Sequence, residues 1–186
     1  MAEPARKPMT VDEFLAWSLT WEEGERYELV AGEPIRMASE RSRHALVKLD
    51  AALALQRAVT EAGRDCTVWP DGMTVRVDET TAFEPDAAIQ CGPRPDPDAT
   101  TLEAPVVVVE VLSPGTSGVD NGLKLMGYFA VPSIAHYLIV DPQRKAALHH
   151  ARGAGDAAAT RILRGGPLAL DPPGITVEIE AFFARV

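Results

Sequence analysis

Residues Val106-Val107-Val108-Val109-Glu110-Val111 place an acid inside a run of valines, and few folds accommodate that. β-Branched residues at successive positions leave no solvent side, so the run reads as a strand buried on both faces of a sheet. An ionised carboxylate inside such a strand carries a large desolvation cost unless a cation or hydrogen-bond donors receive it. Another apolar–polar run ends at Pro85-Asp86, 24 residues before Glu110, and Lys124 follows Glu110 by 14 residues on what reads as the next helix. Two acids and a lysine converging at strand ends are the parts of a metal-dependent phosphodiesterase site.

The chain of 186 residues is expected to form one domain, 1–186, with a core of its own. No apolar run approaches the ~18 residues of a membrane span, and Met1–Thr10 lacks the apolar core of a secretion signal. A cytoplasmic protein with no membrane partner is therefore expected. Cys66 and Cys91 have no metal-type spacing and are too few for a disulfide framework, so the plain reading is two reduced thiols. A net charge of −9 argues against a general polyanion binder. It does not exclude a nuclease, several of whose acids would be metal ligands. One stretch is locally basic: Arg36, Arg41, Arg43 and Lys48 against Glu40.

The spacing of Thr10 and Glu13 predicts a capping box opening a helix with Val11, Phe14 and Leu15 on its apolar face. Arg26–Val30 and Pro34–Met37 read as a hairpin around Ala31-Gly32, with Glu28 in its first strand. A long helix over residues 42–62 carries Leu46, Val47, Leu49, Leu53 and Leu55 and stops at Gly63. Short strands are predicted near Thr67–Trp69, Thr74–Val77, Phe83–Gln90 and Pro105–Leu112, then a helix over Ser117–Ala130. Tyr137–Val140 reads as a buried strand paired with Ala146–His150, Gly153–Asp156 as a turn, and Ile175–Ile179 as a late strand before a short terminal helix. Helix, meander, then strand–helix–strand describes an α/β sandwich around a mixed sheet.

Each candidate has a plainer reading. An isolated Pro-Asp is more often a turn than a site. Glu110 could be a buried acid paired with an arginine. Glu28 could face solvent, and Lys124 could be a surface partner of Asp120, four residues back on its helix with Tyr128 four ahead. His44, in the first turn of the long helix, reads as a surface or cap residue. His136, His149 and His150 show no partner spacing, and the adjacent pair would point to opposite faces of a strand.

Taken in order, Tyr27-Glu28-Leu29-x-x-Gly32-Glu33, His44, Glu84-Pro85-Asp86 and Val109-Glu110-Val111-Leu112-Ser113-Pro114 resemble the Uma-type family of putative restriction endonucleases. The resemblance continues through Asp120-x-x-x-Lys124-x-x-x-Tyr128 and Tyr137-Leu138-Ile139-Val140-Asp141-Pro142, and covers roughly residues 9–182. It implies the PD-(D/E)XK nuclease superfamily and its restriction-endonuclease-like core, a mixed sheet flanked by helices. By position, Asp86 and Glu110 would be the metal ligands and Glu28 a further acid. Leu112 stands where the superfamily lysine would be; Lys124 matches the relocated lysine of Uma-type sequences.

The chemistry expected from these residues is hydrolysis of DNA. Carboxylate oxygens of Asp86 and Glu110, with the Val111 carbonyl, suit Mg²⁺ or Mn²⁺. Lys124 would hold the attacking water or stabilise charge on phosphorus, and Glu28 would bind a second ion or position the first. Crowding of the acids should raise the pKa of at least one, Glu110 first. Residues Arg36–Lys48 would follow the phosphate backbone. A homodimer is expected from duplex symmetry alone. The competing reading is a non-catalytic DNA-binding or protein-interaction module that keeps the nuclease fold.

Overall fold

Helix α1 (Val11–Ser18) begins where Thr10 and Glu13 close the capping box. The Glu13 amide donates to Thr10 Oγ1 at 3.2 Å, and the Thr10 amide donates to Glu13 Oε2 at 2.8 Å. Strands β1 (Tyr27–Val30) and β2 (Glu33–Arg36) form the hairpin, turning at Ala31 and Gly32 with φ of 49° and 80°, the sign such a two-residue turn requires. A Cβ on Gly32 would lie 2.3 Å from Pro8 Cβ, so packing also demands glycine there. The computed structural model describes residues 7–22, 24–113, 118–155 and 157–186, with the backbone alone over 118–121.

Helix α2 (Ser42–Glu61) precedes β3 (Cys66–Pro70), β4 (Thr74–Arg76), β5 (Ala82–Phe83), β6 (Ala87–Cys91), β7 (Thr101–Leu102) and β8 (Pro105–Val111). Then follow α3 (Gly118–Ala130), β9 (His136–Asp141), β10 (Ala146–Arg152), β11 (Ala158–Leu163), β12 (Pro167–Leu170), β13 (Ile175–Glu178) and a 3-10 turn at Ile179–Phe183. The large sheet has the order β11-β10-β9-β8-β6-β3, a second sheet β2-β1-β5-β4-β7, and β12 pairs with β13. Within the large sheet β8 and β9 are parallel and joined through α3, the crossover that parallel neighbours need. The sequence-based expectation of an α/β fold around a mixed sheet holds.

The valine run divides between two cores. Val107, Val109 and Val111 face α2, where Val47, Ala51, Leu55 and Val59 pack with Leu168, Leu170 and Phe182 from the C-terminal strands and turn. Val108 faces the other way, toward Tyr128 and Ile134 and toward Val75 and Phe83 of the second sheet. Glu110 shares the parity of Val108.

Four expectations need correcting. Cys66 and Cys91 are directly opposite each other on β3 and β6 and form a disulfide, not two thiols; antiparallel register, not spacing in the chain, brings them together. On α2, Leu49 and Leu53 are 47% and 44% exposed, and the packing face is instead Val47, Ala51, Ala54, Leu55, Ala58 and Val59. His136 and His149 are partners, Nδ1 to Nε2 at 2.9 Å, since β9 and β10 bring them together on one face. Strands β7, β11 and β12 are additional to the elements foreseen, and the expected strand Phe83–Gln90 is divided into β5 and β6; β11 is largely exposed and lacks an apolar alternation to reveal it. Ser117, Asp156 and the side chain of Asp120 lie outside the described residues.

Candidate active site

Strands β6 and β8 run antiparallel with Ala87 opposite Val109. One residue before that pair on the first strand, and one after it on the second, stand Asp86 and Glu110. Pro85, which has no N–H to donate, lies in the gap between β5 and β6, and Asp86 stands immediately before β6. There Asp86 Oδ2 accepts the Val111 amide at 2.7 Å, inside a buried environment.

Among the described residues, helix α3 supplies two hydrogen-bond partners to Glu110. Lys124 Nζ donates to Glu110 Oε1 at 3.0 Å and to Glu28 Oε1 at 2.9 Å, and Tyr128 donates to Glu110 Oε1 at 2.6 Å. Glu28, on β1, accepts the Glu84 amide at 3.0 Å through the same oxygen. Lys124 is therefore not a surface residue, and Glu110 pairs with a lysine and a tyrosine where an arginine was one reading. The cleft, of about 540 Å³, brings together Glu28, Glu84, Asp86, Glu110, Val111 and Lys124 with Glu40 and His44.

A second group of charges adjoins through Asp86. Lys48, on α2, bonds Glu40 and Asp71 and lies 3.4 Å from Asp86 Oδ1. Arg26 bonds Glu84 and lies 2.8 Å from Asp71. His44 Nε2 is 2.9 Å from the Val111 carbonyl oxygen and 3.5 Å from Asp86 Oδ2. Lys48 thus belongs to the buried network and is withdrawn from the basic stretch predicted to meet phosphate. Arg36 and Arg41 stay exposed on the cleft rim.

Six carboxylates (Glu28, Glu40, Asp71, Glu84, Asp86, Glu110) meet three cations (Arg26, Lys48, Lys124) in this cluster. Burial pushes the Glu110 carboxyl up to about 8, with Lys124 opposing and Asp86 and Glu28 reinforcing. Burial also raises Asp86, against His44, the Val111 amide and Lys48, and raises Glu84 against Arg26. Burial works against the Lys124 ammonium, but Glu110 and Glu28 outweigh it and hold that lysine charged well above the ordinary range. An excess of oxygen donors over cations, with burial favouring the proton on Glu110, fits a divalent ion. Among the described residues, Glu40, His44 and Asp86 also bring one donor atom each within 4.8 Å of the others.

The family model described as "Putative restriction endonuclease", Uma2, matches residues 11–183 of the chain. The protein belongs to the Uma2 family. An uncharacterized protein of Synechocystis sp. is 25% identical over 169 residues, covering 89% of this chain and 88% of its own. The fold is shared with a crystal structure from Anabaena variabilis described as a putative nuclease belonging to DUF820. That likeness has a TM-score of 0.74 at 16% identity, covering 95% of this chain and 98% of the other. The Uma2 resemblance read from the sequence thus stands, and with it a nuclease-like architecture. Among the described residues no helix is long and apolar enough to cross a membrane.

Beyond Asp86, Glu110, Lys124, Glu28 and Val111, the cleft recruits Glu40, His44 and Glu84, and ion pairs join Lys48, Asp71 and Arg26 to them. The Uma-type motifs already contained His44 and Glu84, and a helical stripe pointed to part of this set as well. His44 and Lys48 fall at i and i+4 on the helical stripe that continues through Ala51 and Leu55, so polar residues occupy the start of an otherwise apolar face. Asp71 and Arg26 carry no such local mark.

Proposed function

We propose that this Uma2 protein is a metal-dependent DNA endonuclease that hydrolyses phosphodiester bonds with a water nucleophile. The observation that carries the reading is the lysine on α3 reaching Glu110 and Glu28 across the strand ends, beside Asp86. Asp86 and Glu110 would hold Mg²⁺ or Mn²⁺, with the second lone pair of the Val111 carbonyl as a further oxygen donor. Such an ion supplies Lewis-acid polarisation of the phosphodiester and a water of lowered pKa. Lys124, kept protonated by its two carboxylates, brings positive charge to where the phosphoryl oxygens gain negative charge. Glu28 and Tyr128 fix the orientation of Lys124 and Glu110. Arg36, Arg41 and Arg43, exposed near the cleft, would follow the phosphate backbone of the DNA. A homodimer would present two such clefts to the two strands.

The test is cleavage of supercoiled and linear DNA with Mg²⁺ or Mn²⁺, and with excess EDTA. Lys124→Ala should largely abolish cleavage while divalent binding stays almost intact, because an ammonium is not a ligand. Asp86→Asn should lose both. Cleavage at the wild-type rate by Lys124→Ala would remove the lysine from the mechanism, and DNA binding without cleavage by the wild type would favour the non-catalytic module.

A further inference from the structure

We infer that the cleft takes one DNA strand with its bases unstacked, the side chain of Ile35 packing against the base beside the scissile phosphate, so that opened or unpaired DNA is preferred over intact duplex. The inference rests on the nuclease reading above and names the substrate class of that same site.

Three observations support it. The first is an apolar side chain beside the reacting groups. Ile35 stands opposite Glu28 in the β1–β2 hairpin, and opposite residues of an antiparallel pair project from one face with Cβ atoms ~4.5–5.5 Å apart. Glu28 is the acid that accepts from Lys124, so Ile35 lies one side chain away from the lysine. It lines the cleft with Asp86 and Glu110 and is 48% exposed, on a strand at the edge of its sheet. Phosphate, metal ion and water gain nothing from an isoleucine. The broad apolar surface of a DNA strand is the face of a base, and in intact duplex those faces are stacked against one another. Side chains reach base faces where that stacking is broken.

The second is the wall that continues from Ile35. Residues 37–41 run from β2 to α2 and line the same cleft. The Met37 amide donates to the Arg26 carbonyl at 2.9 Å, and Glu40 bonds the buried Lys48 and lies 3.7 Å from Arg26. Both ends of the wall are thus fastened, and widening the cleft would break these ion pairs. At about 540 Å³ the cavity matches pockets of ~300–1,000 Å³ that enclose one small ligand, room for a nucleotide unit but not for two paired strands. The groups at its base are nearly covered: the side chains of Asp86, Glu110 and Lys124 are 8%, 12% and 10% exposed.

The third is charge. Duplex DNA carries one negative charge per ~1.7 Å of its axis, and one strand alone only one per ~3.4 Å. Among the described residues, the exposed cations at the cleft are Arg36 and Arg41, with Arg43 next to them, in a chain of net charge −9. Three arginines can follow one backbone, whereas intact duplex would bring its second strand against an acidic protein. In the dimer proposed above, each strand of an opened duplex enters a cleft of its own.

The experiment uses the full chain and fluorescein-labelled oligodeoxynucleotides of one sequence, as a single strand, a blunt duplex and a fork with unpaired arms. Fluorescence anisotropy in Ca²⁺ reads binding, gels after adding Mg²⁺ or Mn²⁺ read cleavage, and circular dichroism checks folding of each variant. Single strand and fork should bind at least roughly tenfold more tightly than the duplex, a difference of about 1.4 kcal/mol, and the fork should be cut in its unpaired arms. Ile35→Ala should weaken single-strand binding by roughly fourfold or more, the effect of one buried CH₂, and so shrink the preference; Ile35→Met, which restores an apolar side chain, should recover it. If the blunt duplex is bound and cut as well as the single strand, or a folded Ile35→Ala keeps the full preference, this inference falls while the nuclease reading stands. Single-strand preference without cleavage by either ion would sustain the inference about the strand and overturn the nuclease reading. If none of the three DNAs binds, both fall.

Discussion

Replacing Glu110 by Gln keeps the acceptor oxygen for Lys124 and Tyr128 and removes one titrating group from the cleft. In the folded chain burial holds this carboxyl up to about 8, against 4.5 for an ordinary glutamate. Below pH 4.5 both folded and unfolded chains hold the proton, and the group makes no difference to stability. Between 4.5 and about 8 the unfolded chain has released it while the folded chain retains it, so stability falls as pH rises through this window. Each pH unit costs about 1.4 kcal/mol, so the full fall is on the order of 3–5 kcal/mol, levelling off above the folded value. Lys124 stays charged throughout, because Glu28, and Glu110 once ionised, raise it. The assay is urea denaturation of wild type and Glu110→Gln from pH 5 to 9 in EDTA, read as the difference between the two. The variant should gain on the wild type steadily up to about pH 8. Saturating Mn²⁺ should shrink the gain, since an ion on Glu110 displaces its proton. A difference constant within about 0.5 kcal/mol across the range, the typical spread of a surface substitution, would refute the reasoning.

Burial, with His136 and Arg161 nearby, holds the His149 ring down to about 4, against 6.5 in the unfolded chain; stability should therefore fall as pH drops from 6.5 toward 4, and His149→Gln should flatten that fall in the same denaturation assay. The Cys66–Cys91 bridge closes a loop of 25 residues, so reduction should lower stability by about 3–4 kcal/mol, measured as the urea midpoint with and without reductant. Alanine at Gly127 would place a Cβ 2.6 Å from Phe83 Cε2 and should destabilise the fold by about 1–3 kcal/mol. Gly122→Ala on the same helix, where nothing lies within 4 Å, should be stabilising by roughly 0.5–1 kcal/mol; thermal melts of the two compare them directly.

Features set by near neighbours were legible in the chain. Thr10 and Glu13 cap α1, Ala31-Gly32 turns the first hairpin, and the valine run forms a central strand, because each depends on a few adjacent residues. Glu110 stood out for the same reason: no local role explains a carboxylate among valines. Asp86 and Lys124 were found only by combining weak local signals with the resemblance to Uma2 sequences.

Contacts between distant segments were decided by the tertiary structure. Helix α2 has apolar residues on several faces, and only docking on the sheet buries Val47, Ala51 and Leu55 while leaving Leu49 and Leu53 in water. Cys66 meets Cys91 because strand register sets them opposite each other, and His136 meets His149 as a diagonal neighbour on one face of β9 and β10; a one-residue slip would turn each side chain to the other face. The network of Glu40, His44, Lys48, Asp71 and Arg26 draws on loops as well as a helix, and only His44 and Lys48, on the apolar stripe of α2, carry a local mark of burial. A sequence records what each residue prefers among its neighbours. Which polar groups are taken from water together, and which cations then answer which carboxylates, depends on the packing of sheets and helices across the whole chain.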